Sequence, residues 1–327
     1  MFGDHGRDSN KVTRLLLALI ALVLALIVLK LAGCLDAAGN DAEQDASGTA
    51  ASAVVSSSDQ AAASSGGTDA SSSDGDIPAE YANIDEAALK KLLGNKVAKE
   101  LMSQAKTNED AAWIAAHYGE YQQYGEDQQK KLLTLAAKES EALPFVRNYK
   151  ESETSPESGC DAVRQGIVPE LYQWDTRWGW IKYSEHCIGT SGCGVTALAM
   201  VYQGLTGDTS KSPYDLSVDS VENNYVHSGT DPDFYAFEAE RLGLKCEEVS
   251  VSAAHLKSAL EAGSIVIVNV GPGDFTTGGH YIVAYALDGL GKLHVRDPYS
   301  AVNTAKTWDL DSVAGQAKRF FVFSAKN

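Results

Sequence analysis

The sequence predicts an α+β fold for its C-terminal half, on three observations. From residue 167 to 327, helical patterns come first and strand-like runs come last, an order that segregates helices from sheet. The later runs, 264–270, 280–287, 292–297 and 319–323, alternate or are rich in β-branched and aromatic residues, as strands require. The stretch of about 160 residues is also the length of one domain. Helices are expected at 195–203, 233–242 and 253–261, where apolar residues recur at helical spacing.

The front of the chain differs in kind. Residues 1–14 are polar and carry Arg7, Lys11 and Arg14, whereas 15–35 are apolar except for Lys30. At about 1.5 Å per residue this run spans roughly 30 Å, a bilayer core. Basic residues before it and Asp36, Asp41 and Glu43 after it leave 1–14 in the cytoplasm and the rest outside. A second mechanism fits the same residues. Leu31-Ala32-Gly33-Cys34 resembles a lipobox, at which a signal peptide is cut and the cysteine lipidated, and a short apolar run behind a basic start suits such a signal. Both mechanisms tether the chain to the outer face of a membrane.

Residues 36–80 are mostly Ala, Ser, Gly and Asp. They offer too little apolar surface to offset the entropy of ordering and read as a disordered spacer. Residues 81–149 return to helical periodicity, with Asn108-Glu109-Asp110 as a cap and acidic first turn. A further helix is expected over 126–142, ended by Pro144. This region reads as a small helical bundle, resembling a prodomain, with no catalytic constellation. Residues 150–165 read as a linker, and the C-terminal domain follows at 166–327.

Charge and cysteines exclude several functions. The formal net charge is -17, contrary to the clustered Lys and Arg that phosphate binding needs, so no nucleic-acid partner is expected. The five cysteines, Cys34, Cys160, Cys187, Cys193 and Cys246, form no C-x-x-C pair, so a zinc site is not expected. With Cys193 free and Cys34 in the anchor, three remain, and an odd number supports no disulfide framework.

One cysteine stands apart. Thr190-Ser191-Gly192-Cys193-Gly194-Val195-Thr196 places Cys193 between two glycines at the mouth of an apolar helix. Glycines suit a tight turn there, and the helix dipole favours thiolate over thiol, as a nucleophile needs. The base is sought in the hairpin 280–297. If Leu287 faces Lys292 across the Asp288-Gly289-Leu290-Gly291 turn, Asp297 lies opposite Ile282. His280 and Asp297 are then diagonal neighbours on one face, and His294 points to the other. An aspartate on one ring nitrogen fixes the imidazole so that the other nitrogen acts on a thiol. An oxyanion formed by thiolate attack needs donors. The Cys193 N–H is one, and Gln173 is the side-chain amide chosen as the second. Gly271, Gly273, Gly278 and Gly279 flank a loop before His280 that a substrate backbone could approach closely.

These residues resemble the C39-like peptidases, papain-like cysteine proteases related to a bacteriocin-processing peptidase domain. The resemblance is carried by Gln173-Trp174-Asp175-x-x-Trp178-Gly179, Ser191-Gly192-Cys193-Gly194-x-Thr196, Gly273-Asp274-Phe275-Thr276-x-x-Gly279-His280 and Asp297-Pro298. It implies a papain-like α+β fold, Cys193 as nucleophile, His280 as base, Asp297 as its orienter and Gln173 at the oxyanion hole. It also implies a peptide or protein substrate and no metal or nucleotide cofactor. Val195 departs from the pattern, which commonly has proline there, at a position that touches no proton. The sequence therefore leads to an extracellular, membrane-tethered cysteine peptidase. The alternatives are a hydrolase or transpeptidase of cell-wall peptides and a peptide-binding module of the same fold without turnover. Oligomeric state is not legible.

Overall fold

A computed structural model describes residues 77–326 except 153, 157 and 158. The expected anchor at 15–35, with Cys34, and nearly all of the expected spacer lie outside the described residues. Among the described residues no helix is long and apolar enough to cross a membrane.

The helical region contains α1 (Glu86–Leu93), α2 (Asn95–Ala105), α3 (Glu109–Ala116), α4 (Glu126–Lys138) and α5 (Leu143–Arg147). Asp85 and Asn108 cap α1 and α3 through their side chains, which accept from Ala88 N and Ala111 N. Such caps satisfy amides that the first helical turn leaves without acceptors. The expected helix over 126–142 is shorter. Glu139 turns to extended backbone (φ −124°, ψ 98°), and a 3-10 turn, Ser140–Ala142, follows. Pro144 does not end this helix but sits in the first turn of α5, where its missing N–H leaves no hydrogen bond unmade.

The C-terminal part begins with the short strands β1 (Lys182–Tyr183) and β2 (His186–Cys187), then α6 (Ile188–Ser191), α7 (Cys193–Thr206), α8 (Pro213–Glu222) and α9 (Phe234–Arg241). After β3 (Leu244–Val249) come α10 (Ala253–Glu261), β4 (Ile265–Val270), β5 (His280–Leu287), β6 (Leu293–Arg296) and α11 (Ala301–Thr304). β7 (Thr307–Trp308), α12 (Leu310–Gln316) and β8 (Ala317–Ala325) complete the chain. The six-stranded sheet has the order β3-β8-β4-β5-β6-β7, with every pairing antiparallel. The fold is α+β. α8 starts with a capping box, Ser212 with Asp215, and Pro213 in its first turn.

Both faces of the sheet are covered. Residues of α7 and α9 pack on Ile267, Tyr281, Val283 and Phe321. Leu256, Leu260 and Val313, from α10 and α12, pack on Val266, Ile282, Ala284 and Phe320 on the other. β4 is therefore almost continuously apolar, with only Asn269 breaking the run, because alternate side chains enter different cores.

The helical region is not a separate bead. Its core, including Leu101, Ile114, Leu132 and Phe145, takes in Trp174 and Cys187 from the C-terminal part. Ser152 is fixed as well: its N–H donates to Trp180 O at 2.8 Å, and its carbonyl accepts from Lys182 N at 2.8 Å. The 150–165 stretch thus carries backbone bonds into the C-terminal part.

The β5–β6 hairpin differs from the expected alignment at its tip and agrees with it near its base. Leu287 pairs with Leu293 and Ala286 with His294, one residue off. Asp288 causes the offset: its N–H donates to Lys292 O, and its carboxylate accepts from Leu290 N and Lys292 N. A bulge then absorbs Tyr285, and Ala284–Val295 and Val283–Arg296 pair as expected. A bulge adds one residue to one strand, and here it restores the alignment that carries His280 and Asp297.

Candidate active site

Cys193 is the first residue of α7, a 14-residue helix with Gly192 at its N-cap. Its N–H has no acceptor within its own helix, and the dipole end of α7 lies at its thiol. The flanking glycines are required, but for a reason other than backbone freedom. Gly192 has φ −95°, which other residues adopt. A Cβ on Gly192 would lie 2.6 Å from Ile188 Cγ2, and one on Gly194 would lie 2.5 Å from the Thr230 side chain. Close packing, not a left-handed turn, demands glycine on either side of the cysteine.

His280 opens β5 and is buried, with 8 % of its side chain exposed and none of Asp297's. Its Nε2 meets Asp297 Oδ1 at 2.7 Å, which leaves Nδ1 for Cys193, its other hydrogen-bond partner. The carboxylate is itself held: Oδ1 accepts from Tyr299 N at 2.9 Å and Oδ2 from Asn303 Nδ2 at 2.9 Å. The Asp297 N–H donates to Thr304 Oγ1 at 2.9 Å. Burial alone would lower the His280 pKa. Opposing it, the Asp297 charge and hydrogen bond, with Cys193, raise it from 6.5 to about 10. A buried charge survives only when paired and hydrogen-bonded, and His280 has both conditions met. The imidazolium is therefore the favoured form near neutral pH.

Gln173 is 2 % exposed. Its N–H donates to Pro298 O at 2.8 Å, and its Nε2 donates to Gly189 O at 2.9 Å. The Gly189 carbonyl orients the amide, since the reversed amide would set two oxygens against each other. One N–H of the amide remains beyond the bond to Gly189, and Gln173 lines the same cleft as Cys193.

The neighbouring motif residues build this arrangement. Trp174 Nε1 donates to Tyr299 O at 2.8 Å, which fixes the loop after Asp297. Trp178 is fully buried and donates to Tyr172 O at 2.9 Å. Asp175 grips Arg177 with both carboxylate oxygens.

The cleft has a volume of about 510 Å³. One side is the 273–279 loop, held by Gln316, whose Oε1 accepts from Asp274 N and whose Nε2 donates to Asp274 Oδ2. A Cβ on Gly273 would collide with Gln316, whereas Gly278 and Gly279 face open space. The other side is α4, which contributes Lys130, Lys131, Thr134 and Lys138. His294 lies elsewhere, opposite Ala286 and 5.9 Å from the Tyr285 ring centroid.

The structure thus brings Cys193, His280, Asp297 and Gln173 together. The residues that sequence reasoning missed are those that hold them: Asn303, Tyr299, Thr304, Gln316 and two residues of the helical region. Gln128 Nε2 donates to Thr190 Oγ1 at 3.1 Å, on the cysteine side of the cleft. Glu139 accepts from the Ser300 hydroxyl and from Ala301 N at 3.0 Å, on the aspartate side. Burial pushes the Glu139 carboxyl up, and these donors oppose that shift. Gln128, Glu139 and Gln316 act across 42 residues or more, and Tyr299, Asn303 and Thr304 act within seven residues of Asp297 but in a loop with no regular periodicity to mark them. Among the described residues no group of three His, Cys, Asp or Glu side chains is placed to hold a metal ion.

A thiol at a helix N-terminus, bonded to an imidazole that a buried carboxylate orients, is an arrangement for nucleophilic attack on a carbonyl. No curated protein matches the chain. Residues 167–323 match the model of the Peptidase_C39 like family, and that stretch, which holds Gln173, Cys193, His280 and Asp297, is similar to the C39-like peptidases.

Proposed function

We propose that the chain is a papain-like cysteine peptidase that hydrolyses peptide bonds through an acyl-enzyme on Cys193. The observation that carries this reading is the chain of contacts from Cys193 through His280 to Asp297, buried at one end of an open cleft. The thiolate attacks the peptide carbonyl carbon, forming a C–S bond and an oxyanion. The Cys193 N–H and the remaining Gln173 N–H stabilise that oxyanion. Collapse breaks the C–N bond while the His280 imidazolium gives its proton to the leaving amine. Neutral His280 then takes a proton from water, whose oxygen attacks the thioester, and the acid product leaves with Cys193 restored.

The same reading places the catalytic region outside a membrane, tethered by 15–35. Its support is the basic 1–14 stretch, the apolar run and the acidic residues that follow, by the charge asymmetry that orients such segments.

The test is a peptide-library cleavage profile on wild type and Cys193→Ala, with a thiol-directed probe. Cys193→Ala is expected to fold and to retain less than about one per cent of the rate, while Cys160→Ser and Cys246→Ser keep it. Probe labelling of Cys193 without turnover of any peptide, cell-wall peptides included, would reject the peptidase in favour of a binding module.

A further inference from the structure

We propose that Glu139 is a positioning residue for Asp297, which makes the helical region a working part of the active site although it lies outside the 167–323 family match. The proposal rests on the peptidase reading above.

Glu139 follows α4 directly, where the backbone turns extended, and it is 3 % exposed. Its carboxylate enters the loop that follows Asp297. Oε1 accepts from the Ser300 hydroxyl, and Oε2 accepts from Ala301 N at 3.0 Å and Val302 N at 3.4 Å. Ser300 Oγ in turn accepts from Asn303 N at 3.1 Å, and Asn303 Nδ2 donates to Asp297 Oδ2 at 2.9 Å. A continuous path of hydrogen bonds therefore runs from Glu139 through Ser300 and Asn303 to the carboxylate that orients His280.

A general packing role does not require this chemistry. Burying a carboxylate is costly unless it is hydrogen-bonded, and an apolar side chain would fill the same space at less cost. All three donors to Glu139 belong to the Asp297 loop, and none comes from its own helix. The other end of α4 makes the matching contact, from Gln128 to Thr190, three residues before Cys193. α4 and the residue that follows it thus touch both the segment just before Cys193 and the loop after Asp297.

The experiment uses the full chain with Glu139→Gln, which keeps the shape but removes one acceptor, and Glu139→Asp, which keeps the charge but withdraws it from the loop. Folding is checked by circular dichroism. The readouts are kcat and KM on a cleaved peptide, and the rate of Cys193 alkylation by iodoacetamide at pH 6, resolved from the other cysteines by peptide mass spectrometry. Alkylation reads the reactivity of the Cys193 sulfur beside His280, and it needs no substrate. Both variants are expected to fold, to lose at least about tenfold in kcat with KM within about twofold, and to alkylate more slowly at pH 6. Wild-type rates in either folded variant overturn the proposal. An effect in Glu139→Gln that is absent in Glu139→Asp also overturns it, by assigning a charge effect in place of positioning. Failure of both variants to fold overturns it too, since Glu139 then supports the fold rather than the site. If wild-type Cys193 alkylates no faster at pH 6 than Cys160 and Cys246, the peptidase reading fails and the proposal falls with it. Reactive wild-type Cys193 beside unaffected variants sinks the proposal alone.

Discussion

The backbone N–H of Gln173 donates to the carbonyl of Pro298 at 2.8 Å, so the residue that carries the side-chain amide in the cleft is tied to the residue that follows Asp297. The Trp174 indole reinforces the tie one residue on, through Tyr299 O. Gln173, the proposed oxyanion donor, and the aspartate loop therefore keep a fixed spacing. Preorganised donors cost no reorganisation as charge develops.

Gln173→Ala is expected to lower kcat by about 10²–10³, the effect of losing one oxyanion donor, with little change in KM. The backbone bond to Pro298 survives the substitution, so Cys193 alkylation at pH 6 is expected to stay near the wild-type rate. Steady-state kinetics and alkylation on the same preparation check both. Equal loss in the two measurements would show that Gln173 acts on the thiol environment and not on the oxyanion.

The basic limb of kcat/KM is expected well above the ordinary histidine range, because Asp297 and Cys193 raise His280 from 6.5 to about 10 against the effect of burial. The raised value means that the folded state favours the charged imidazole. Its contribution to stability is therefore complete below about pH 6.5 and is lost as pH rises toward about 10. Asp297→Asn removes the opposing charge and leaves the burial. The basic limb then moves to lower pH, by about 1–3 units for a contact this close, and a measurable rate remains. A pH–rate profile on both proteins decides the matter, and coincident basic limbs would reject the assignment of Asp297.

Phe145 links the helical region to the cysteine side of the site. It is 1 % exposed, and its ring lies where a Cβ on Gly189 would sit, 2.3 Å from Phe145 Cζ. Gly189 carries the carbonyl that orients Gln173. Phe145→Ala is expected to cost about 3–5 kcal/mol by the cavity it leaves, and to reduce activity of the folded fraction as Gly189 relaxes. Denaturant unfolding followed by kinetics under folding conditions checks the two effects separately. Full activity in a destabilised variant would limit Phe145 to packing.

Much of this site was legible because its chemistry is local in sequence or sits on one hairpin. Cys193 was marked by its glycines and the apolar helix behind it, though the glycines serve packing against Ile188 and Thr230. The pairing of His280 with Asp297 followed from strand alternation, and it holds because the Tyr285 bulge cancels the offset at the Asp288 turn. That cancellation was not legible, since nothing in the strand marks Tyr285 as the extra residue. α10 over Ala253–Glu261 was readable from its spacing. β3 was not: Leu-Lys-Cys-Glu-Glu-Val lacks clean alternation, and its place on the sheet edge beside β8 comes from tertiary pairing. Asn303, Gln316 and Glu139 were equally hidden, because a polar side chain that supports a loop, whether six residues away or far along the chain, is the same residue type as one in solvent.

The proposed N-terminal tether supplies the last prediction. Residues 15–35 are apolar apart from Lys30, behind Arg7, Lys11 and Arg14 and ahead of Asp36. A retained helix needs roughly 20 apolar residues, and this segment reaches that length only by including Lys30, whose long side chain would then have to snorkel to an interface. A lipoprotein needs a shorter run and a cysteine at the cut, which Cys34 after Leu31-Ala32-Gly33 supplies. Lys30 directly before that box is less suited to it, so the retained helix is the expected outcome. Mass spectrometry of the mature N-terminus, on protein from the membrane fraction, distinguishes the two. An intact Met1 or Phe2 supports the helix, and a diacylated Cys34 replaces it with a lipid anchor. An unmodified chain recovered only from the medium would remove the tether itself and leave the catalytic region free.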